Sequence, residues 1–478
     1  MSSTKALTKE TMPPKTISQT RFSATWLIVR KEVYANLLNL KIPLAFAAMT
    51  ILLLLSAHLL AIDYRQRFDN WAVNQSVQNV PPVGGVVAYK LPDGTFFHTT
   101  GTIHESSMQP PAPMSVVVKG MDSEWDRAIT LGQTIGFGPR QDNRPARNLF
   151  DTPDAVYVIQ LLVSLLALFF SLDAITWEKE MRTLHAMLAT SVNRRAVLLG
   201  KGIGACLSLC VPFVVAYGIS MAYLRLAHGV LVGRDEWLRV ILILGMSLIY
   251  AVVFVCVGLL LSTITVRTKT AVVTALLVWG ALVLVLPNAA VLSAKLLFPA
   301  PSYNQLKAQL RESRQQIIDQ ELHAHPEIKS VFESPNAREV LSRTFDADRQ
   351  ITDDYVARKW RQVARARYLS MLSPAGALKF GASDLAGTGA NSFQSYLGFL
   401  VSGRDLMIDA MNRQWDLQTD EKAKFIQQAM EHISSRQRKP EPLSAGLGPS
   451  AIGAGSLLTW AGILGFLAYR RFQQYDAR

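Results

Sequence analysis

The run Trp177-Glu178-Lys179-Glu180-Met181-Arg182-Thr183-Leu184-His185-Ala186-Met187-Leu188-Ala189-Thr190 sets two carboxylates around a lysine directly after an apolar stretch. Ser191-Val192-Asn193-Arg194-Arg195 and a second apolar stretch follow it. The segment therefore reads as a charged amphipathic helix between two membrane spans. A short, stiff, exposed helix at that place offers a soluble partner a surface to push against, which suggests mechanical coupling rather than chemistry. The candidate coupling residues are Glu178, Lys179, Glu180, Met181, Arg182, Thr183, Leu184, His185, Met187 and Leu188.

Other residue patterns that could do chemistry do not complete a site. The chain has no zinc-protease pair, nucleophile elbow, kinase set or P-loop. Gly200-Lys201-Gly202 lacks the upstream glycine and the following hydroxyl that a phosphate cradle needs, and Ala386-Gly387-Thr388-Gly389 lacks the Lys-Ser/Thr end and reads as a turn between helices. Cys206 and Cys210 share a helix face four residues apart, but they and Cys256 fall within apolar runs and read as small packing residues. His98 and His104 have no acidic or cysteine partner at ligand spacing. No catalytic and no metal residue is expected.

The elements that position the charged segment follow from composition. Half of the 478 residues are hydrophobic and only 18% are charged, with a mean hydropathy of +0.19, whereas soluble chains are about 25% charged. The apolar residues gather in six blocks near the bilayer-spanning length of about 20 residues: 44–62, 155–175, 196–224, 237–263, 271–297 and 451–468. Basic residues beside the short loops and at both termini fall on one side, which makes both termini cytoplasmic and leaves 63–151 and 298–450 outside. The net charge of +13 is then topology plus a basic outer domain, and no nucleic-acid partner is expected. The centres of the six blocks lack Asp, Glu, Lys and Arg, which argues against an ion-coupled pump with a titratable relay in mid-membrane and for an external motor.

Ahead of the first block, Phe22, Trp26, Val29, Val33, Leu37 and Leu40 recur at three- and four-residue spacing, as in an amphipathic helix lying along the inner leaflet of membrane lipid. Residues 86–90 and 95–99 flank Leu91-Pro92-Asp93-Gly94 as a hairpin, and 115–119 is a further strand candidate. Asp151-Thr152-Pro153-Asp154 supplies a cap, a proline at the first helical position and a carboxylate at the positive end of the next helix. In the second outer segment, 303–322, 338–372 and 392–415 are helical in pattern and would stack as hairpins above the membrane.

The fold expected is a mainly α membrane protein: six transmembrane helices with an N-terminal interfacial helix, a β-containing outer domain and a helical outer domain. Its divisions are a cytoplasmic N-terminus with the interfacial helix (1–41), a first span (42–62), the β-containing domain (63–153), spans two to five with a cytoplasmic coupling helix at 177–190 (154–297), the helical outer domain (298–450), and the sixth span with a short tail (451–478).

The order of these parts resembles the permease subunit of an ABC type-2 exporter. The resemblance rests on the helix over 22–40, the large insertion after the first span, Glu178-Lys179-Glu180-Met181-Arg182-Thr183-Leu184, Asn193-Arg194-Arg195 and Leu199-Gly200-Lys201. Family members typically carry a glycine where Arg182 stands. Leu372-Ser373-Pro374-Ala375 and Leu385-Ala386-Gly387-Thr388-Gly389 are similar to the subgroup with two large extracytoplasmic insertions. The resemblance implies a homodimer or a pair with a sister permease, an ABC ATPase subunit beneath each copy, and ATP and magnesium held on that ATPase, with no cofactor in this chain. It also implies residence in the bacterial inner membrane, with a further periplasmic partner among the roles open to the outer domains. Two alternatives share the sequence features: an ATPase-driven scaffold that transmits motion to outer partners without moving substrate, and a membrane enzyme acting on lipid or envelope polymer.

Overall fold

The computed structural model describes residues 17–78, 87–90, 96–99, 103–104, 110–120, 129–131, 135–137, 153–184, 193–231, 233–413 and 441–474, with a few more between 416 and 432. The first helix, α1 (Ile17–Leu38), precedes α2 (Lys41–Gln78). Then come α3 (Ala155–Glu180), α4 (Arg194–His228), α5 (Arg234–Ile264) and α6 (Thr268–Leu297). Four further helices, α7 (Tyr303–Ala324), α8 (Ala337–Ser370), α9 (Pro374–Ala386) and α10 (Ala390–Arg413), lead to α11 (Leu443–Gln473). Among the described residues, six helices, α2 to α6 and α11, are long and apolar enough to cross a bilayer. Each contains one of the six apolar blocks and extends beyond it. The sixth, drawn from a short block at 451–468, is a helix of 31 residues.

The helix starts show how local chemistry sets the architecture. Asp154 is the cap of α3: Oδ1 accepts from the Tyr157 amide at 2.7 Å and Oδ2 from the Lys119 amide at 3.0 Å. Pro153 lies before the cap rather than at the first helical position, and its carbonyl accepts from Ser56 Oγ of α2 at 2.8 Å. Pro43 sits in the first turn of α2, where its missing amide would have no helical partner in any case.

Two of the long helices widen locally into π turns, Ile159–Val163 in α3 and Ala281–Val285 in α6. A π turn frees carbonyls from the helical ladder, and both turns use them. The Gln160 carbonyl accepts from Tyr250 Oη of α5 at 2.9 Å, and the Leu282 carbonyl accepts from Ser373 Oγ at 2.6 Å.

Ser373 belongs to a hairpin that the sequence pattern did not reveal. The end of α8 and the start of α9 enter the space among the long helices. The Met371 carbonyl accepts from Ser456 Oγ at 2.7 Å, the Leu372 carbonyl from Trp460 Nε1 at 2.9 Å, and the Ala375 carbonyl from Gln160 Nε2 at 2.5 Å. Eleven of the thirteen α9 residues are buried, so the helix is a core element rather than a surface turn. It closes at Gly387, whose φ of +70° is the left-handed C-terminal conformation that glycine adopts without penalty. The remaining helices α7, α8 and α10 lie close to the ranges expected. Arg404 of α10 is fully buried between Asp353 at 2.7 Å and Asp405 at 2.9 Å, beside a core of Tyr396, Leu400, Met407 and Ile426.

The segment between α2 and α3 departs from expectation. Helix α2 continues to Gln78, so helix replaces the start of the proposed β-containing domain. Val87–Lys90 pairs with Phe96–Thr99 as the hairpin pattern anticipates, and Ile129–Leu131 pairs with Ile103–His104 and Ile135–Phe137. These pairings are two to four residues long, their turns lie outside the described residues, and they do not support a β domain. Residues 115–119 are not a strand: Pro113–Val116 is a 3-10 turn, and 114–118 are buried in succession, without the alternation a strand surface shows. The ends of α2 and α3 enclose this stretch, Arg67 Nη2 donating to Ser115 Oγ at 2.9 Å and the Ala155 amide to the Val117 carbonyl at 3.2 Å.

Candidate coupling junction

The charged segment is not one helix over 177–190. Helix α3 runs without interruption through Glu180 and stops, because Arg182 adopts φ +57° and turns the chain. A left-handed conformation costs a non-glycine residue about 1–2 kcal/mol, and Arg182 is the position where a glycine is usual in the family resembled. After the turn, Leu184 is fully buried. His185, Met187 and Leu188 lie outside the described residues.

The three charged residues at the end of α3 each reach a different helix. Glu178 Oε1 accepts from Lys201 Nζ of α4 at 2.8 Å, and the same Nζ donates to Glu32 Oε1 of α1 at 2.9 Å. Lys201 is only 2% exposed, while Lys31 approaches Glu178 at 3.5 Å from the solvent side. Lys179 Nζ donates to the carbonyls of Ser262, Thr263 and Thr265 at 3.0, 2.6 and 3.0 Å. These carbonyls close α5, where the last helical acceptors lack amide partners and the dipole is negative. Glu180 Oε2 accepts from the Thr268 amide at 3.1 Å and from Thr268 Oγ1 at 2.6 Å, capping the positive end of α6.

Neighbouring contacts extend the junction to the remaining long helices. Lys41 Nζ at the start of α2 meets Asp173 Oδ2 of α3 at 2.8 Å, and Arg194 Nη1 at the start of α4 donates to the Gln473 carbonyl of α11 at 2.9 Å. Ser262 Oγ of α5 accepts from the Ile175 and Thr176 amides of α3 at 3.0 and 2.9 Å. All six long helices therefore carry a polar tie at the same end of the bundle.

Helix α1 joins through small residues on α4. A Cβ on Gly200 would stand 2.8 Å from Ile28 Cγ2, and one on Gly204 would stand 2.7 Å from Glu32 Cβ. Asn36 Nδ2 donates to Ser208 Oγ at 3.1 Å. The spacing 200, 204, 208 forms a shallow groove that lets α1 approach closely and brings Glu32 to Lys201. The face of α1 turned to the protein is thus Ile28, Val29, Glu32 and Asn36. Of the apolar stripe read from the sequence, only Val29 is fully buried; Trp26, Leu37 and Leu40 are 62%, 47% and 62% exposed, Val33 is half-buried, and the Phe22 side chain lies outside the described residues.

Among the ten coupling candidates, Glu178 and Lys179 point inward and Leu184 is buried, while Glu180, Met181, Arg182 and Thr183 are exposed along with Trp177. Sequence reasoning missed Glu32, Ser262 and Thr268 as junction members. The available signal was Glu32, the one carboxylate on a helix whose other charges, Arg21, Arg30 and Lys31, are basic. The three cysteines are free thiols, and among the described residues no group of three His, Cys, Asp or Glu side chains is arranged to hold a metal ion.

Among the described residues, a bundle of six membrane-length helices, tied together at one end through a charged turn, has the architecture of a multi-pass membrane protein. The sequence profile of the ABC-2 family transporter proteins matches residues 26–477, and the chain belongs to that family. It is a permease subunit of an ABC transporter, and its family implies an ABC ATPase as partner. A search among curated proteins finds no match.

Proposed function

We propose that the chain is the membrane subunit of an ATP-driven exporter, in which a separate ATPase delivers the energy of its nucleotide cycle through residues 177–190. The observation that carries this reading is the end of α3, where three successive charged side chains bind α4, the last carbonyls of α5 and the first turn of α6. A displacement of that turn is felt by every neighbour at once. The exposed Trp177, Glu180, Met181, Arg182 and Thr183 supply the face that meets the ATPase, and Glu178 and Lys179 carry its motion inward. ATP and magnesium sit on the partner, and coupling requires only that the two conformations of the permease differ in free energy with nucleotide state.

In this reading both termini and the 177–190 turn lie in the cytoplasm of a bacterium, the outer segments lie beyond the inner membrane, and two permeases, identical or sister subunits, form the path. The exposed apolar residues of α1 rest in the inner leaflet. The test is coexpression with the ATPase and substrate flux into inverted vesicles. Met181→Asp and Arg182→Glu should retain a folded permease while reducing ATPase copurification and flux together. Normal flux in both variants, or labelling of Met181→Cys only from the side of the outer segments, overturns the reading.

A further inference from the structure

We infer that the ledge formed by the last turn of α6 and the last three turns of α8 binds the headgroup of an anionic phospholipid, at the membrane surface on the side of helices α7, α8 and α10. Two contacts fix how these helices lie: Gln362 Nε2 donates to the Phe298 carbonyl at 2.8 Å, and Ser370 Oγ to the Pro287 carbonyl at 3.5 Å. The helices are antiparallel, and interpolation between the two contacts sets Lys295 level with the turn that holds Arg365.

The outer face of α8 is graded along its length. Arg358, Arg361, Arg365 and Tyr368 follow one another at three- and four-residue spacing, so they share a face; Leu372 follows in the turn that ends the helix, and all five are exposed. The order runs from guanidinium to phenol to aliphatic chain as α8 descends toward the hairpin tip, whose Leu372 carbonyl is held by Trp460 of α11. That is the order of environments met on entering a bilayer, from phosphate to interface to acyl chain. At the neighbouring end of α6, Lys295 is exposed one turn beyond Leu292 and beside the exposed Leu296 and Leu297.

Charge accounting separates this ledge from much of the outer surface. Arg338, Arg349, Arg358 and Arg413 pair with aspartates. Lys295, Arg361 and Arg365 have no carboxylate partner among the described residues. Arg361 spends only its Nε, on the Ala357 carbonyl at 3.4 Å. Arg365 lies 4.0 Å over the Phe298 ring, a stacking that holds the guanidinium plane while leaving its edge N–H groups for an anion. Three unneutralised cations on an apolar platform fit a phosphodiester whose acyl chains lie against Leu292 and Leu372.

The test is native mass spectrometry of the full-length chain, with phosphatidylglycerol titrated against phosphatidylcholine. Phosphatidylglycerol should be retained preferentially, and each of Lys295→Gln, Arg361→Gln and Arg365→Gln should lower its apparent affinity about fivefold, the weight of one cation near an anionic surface. Arg311→Gln, a change elsewhere on the outer bundle, should leave it unchanged. The single glutamine variants retain side-chain length, and a melting curve for each confirms that the compared proteins are folded. Equal retention of phosphatidylcholine, unchanged affinity in the three variants, or heat protection by inorganic phosphate equal to that by phosphatidylglycerol overturns the assignment.

Discussion

Lys201→Met isolates the energetic centre of the junction. The native ammonium is 2% exposed and bridges Glu178 and Glu32, whose side chains are 12% and 18% exposed. Methionine keeps most of the aliphatic stem and the packing beside Gly200 and Gly204, so the substitution removes mainly the charge. Taking one partner from a buried ion pair costs about 3–5 kcal/mol, because the remaining charge is left desolvated without compensation. Lys31 stays within 3.5 Å of Glu178 but is 67% exposed, and such a pair recovers at most about 1 kcal/mol. The net expectation is a loss of about 3 kcal/mol, read by chemical denaturation of the purified permease. Replacing a stranded carboxylate in the same background, with Glu178→Gln or Glu32→Gln, should return about 1–2 kcal/mol by removing a buried charge. A loss below about 1 kcal/mol, or no recovery in either double variant, would show that the three groups do not act as a unit. The same geometry explains why Glu178 reversal is a poor functional probe: a lysine there would face Lys201 and Lys31, and the permease would suffer before any partner was involved.

Two further outcomes follow from single residues. Arg182→Gly should relieve left-handed strain of about 1–2 kcal/mol against a glycine entropy cost of about 0.5–1 kcal/mol, leaving the melting temperature unchanged or slightly raised; a clear drop would mean that the Arg182 side chain holds the turn. Asp384 of α9, 5% exposed, has its carboxyl pushed up to about 6, chiefly by burial, with Glu441 adding and Arg367 at 2.5 Å opposing. The folded chain therefore holds this proton more tightly than the unfolded chain, so the contribution is complete below pH 4 and lost as pH rises through 6. One pKa unit is worth about 1.4 kcal/mol, so the wild type should lose about 2–3 kcal/mol relative to Asp384→Asn between pH 4 and pH 6, and parallel stability profiles for the two proteins would refute this.

The six long helices were legible because an apolar run of membrane length has few other uses. The charged turn was legible for the opposite reason, since Glu178, Lys179 and Glu180 stand where the apolar run ends. What the residues touch was not legible. Lys201 looked like part of a failed phosphate loop, and its partners lie 23 and 169 positions away. The apolar stripe of α1 was read as resting on the inner leaflet, a pattern that says nothing of which residues on the helix meet the protein. In lipid, apolar side chains gain little by turning inward, and small and polar residues make the helix contacts, so Glu32 and Asn36 face α4 while Trp26 and Leu40 face away. Helix α9 escaped notice because thirteen residues fall short of a span and its Ala and Gly content imitates a loop. Its burial comes from α3, α5 and α11, which no local pattern announces.

Consecutive residues on an α-helix point about 100° apart. Glu178, Lys179 and Glu180 therefore fan around somewhat more than half a circle, and a helix end can satisfy all three only if other helices stand on more than one side of it. The final turn of α3 is the axle of the assembly, with α1 and α4 on one side and the ends of α5 and α6 on the others. Sliding it along its length would release three sets of contacts together, so the permease is expected to shift between arrangements in a single step and to pass through no half-moved state.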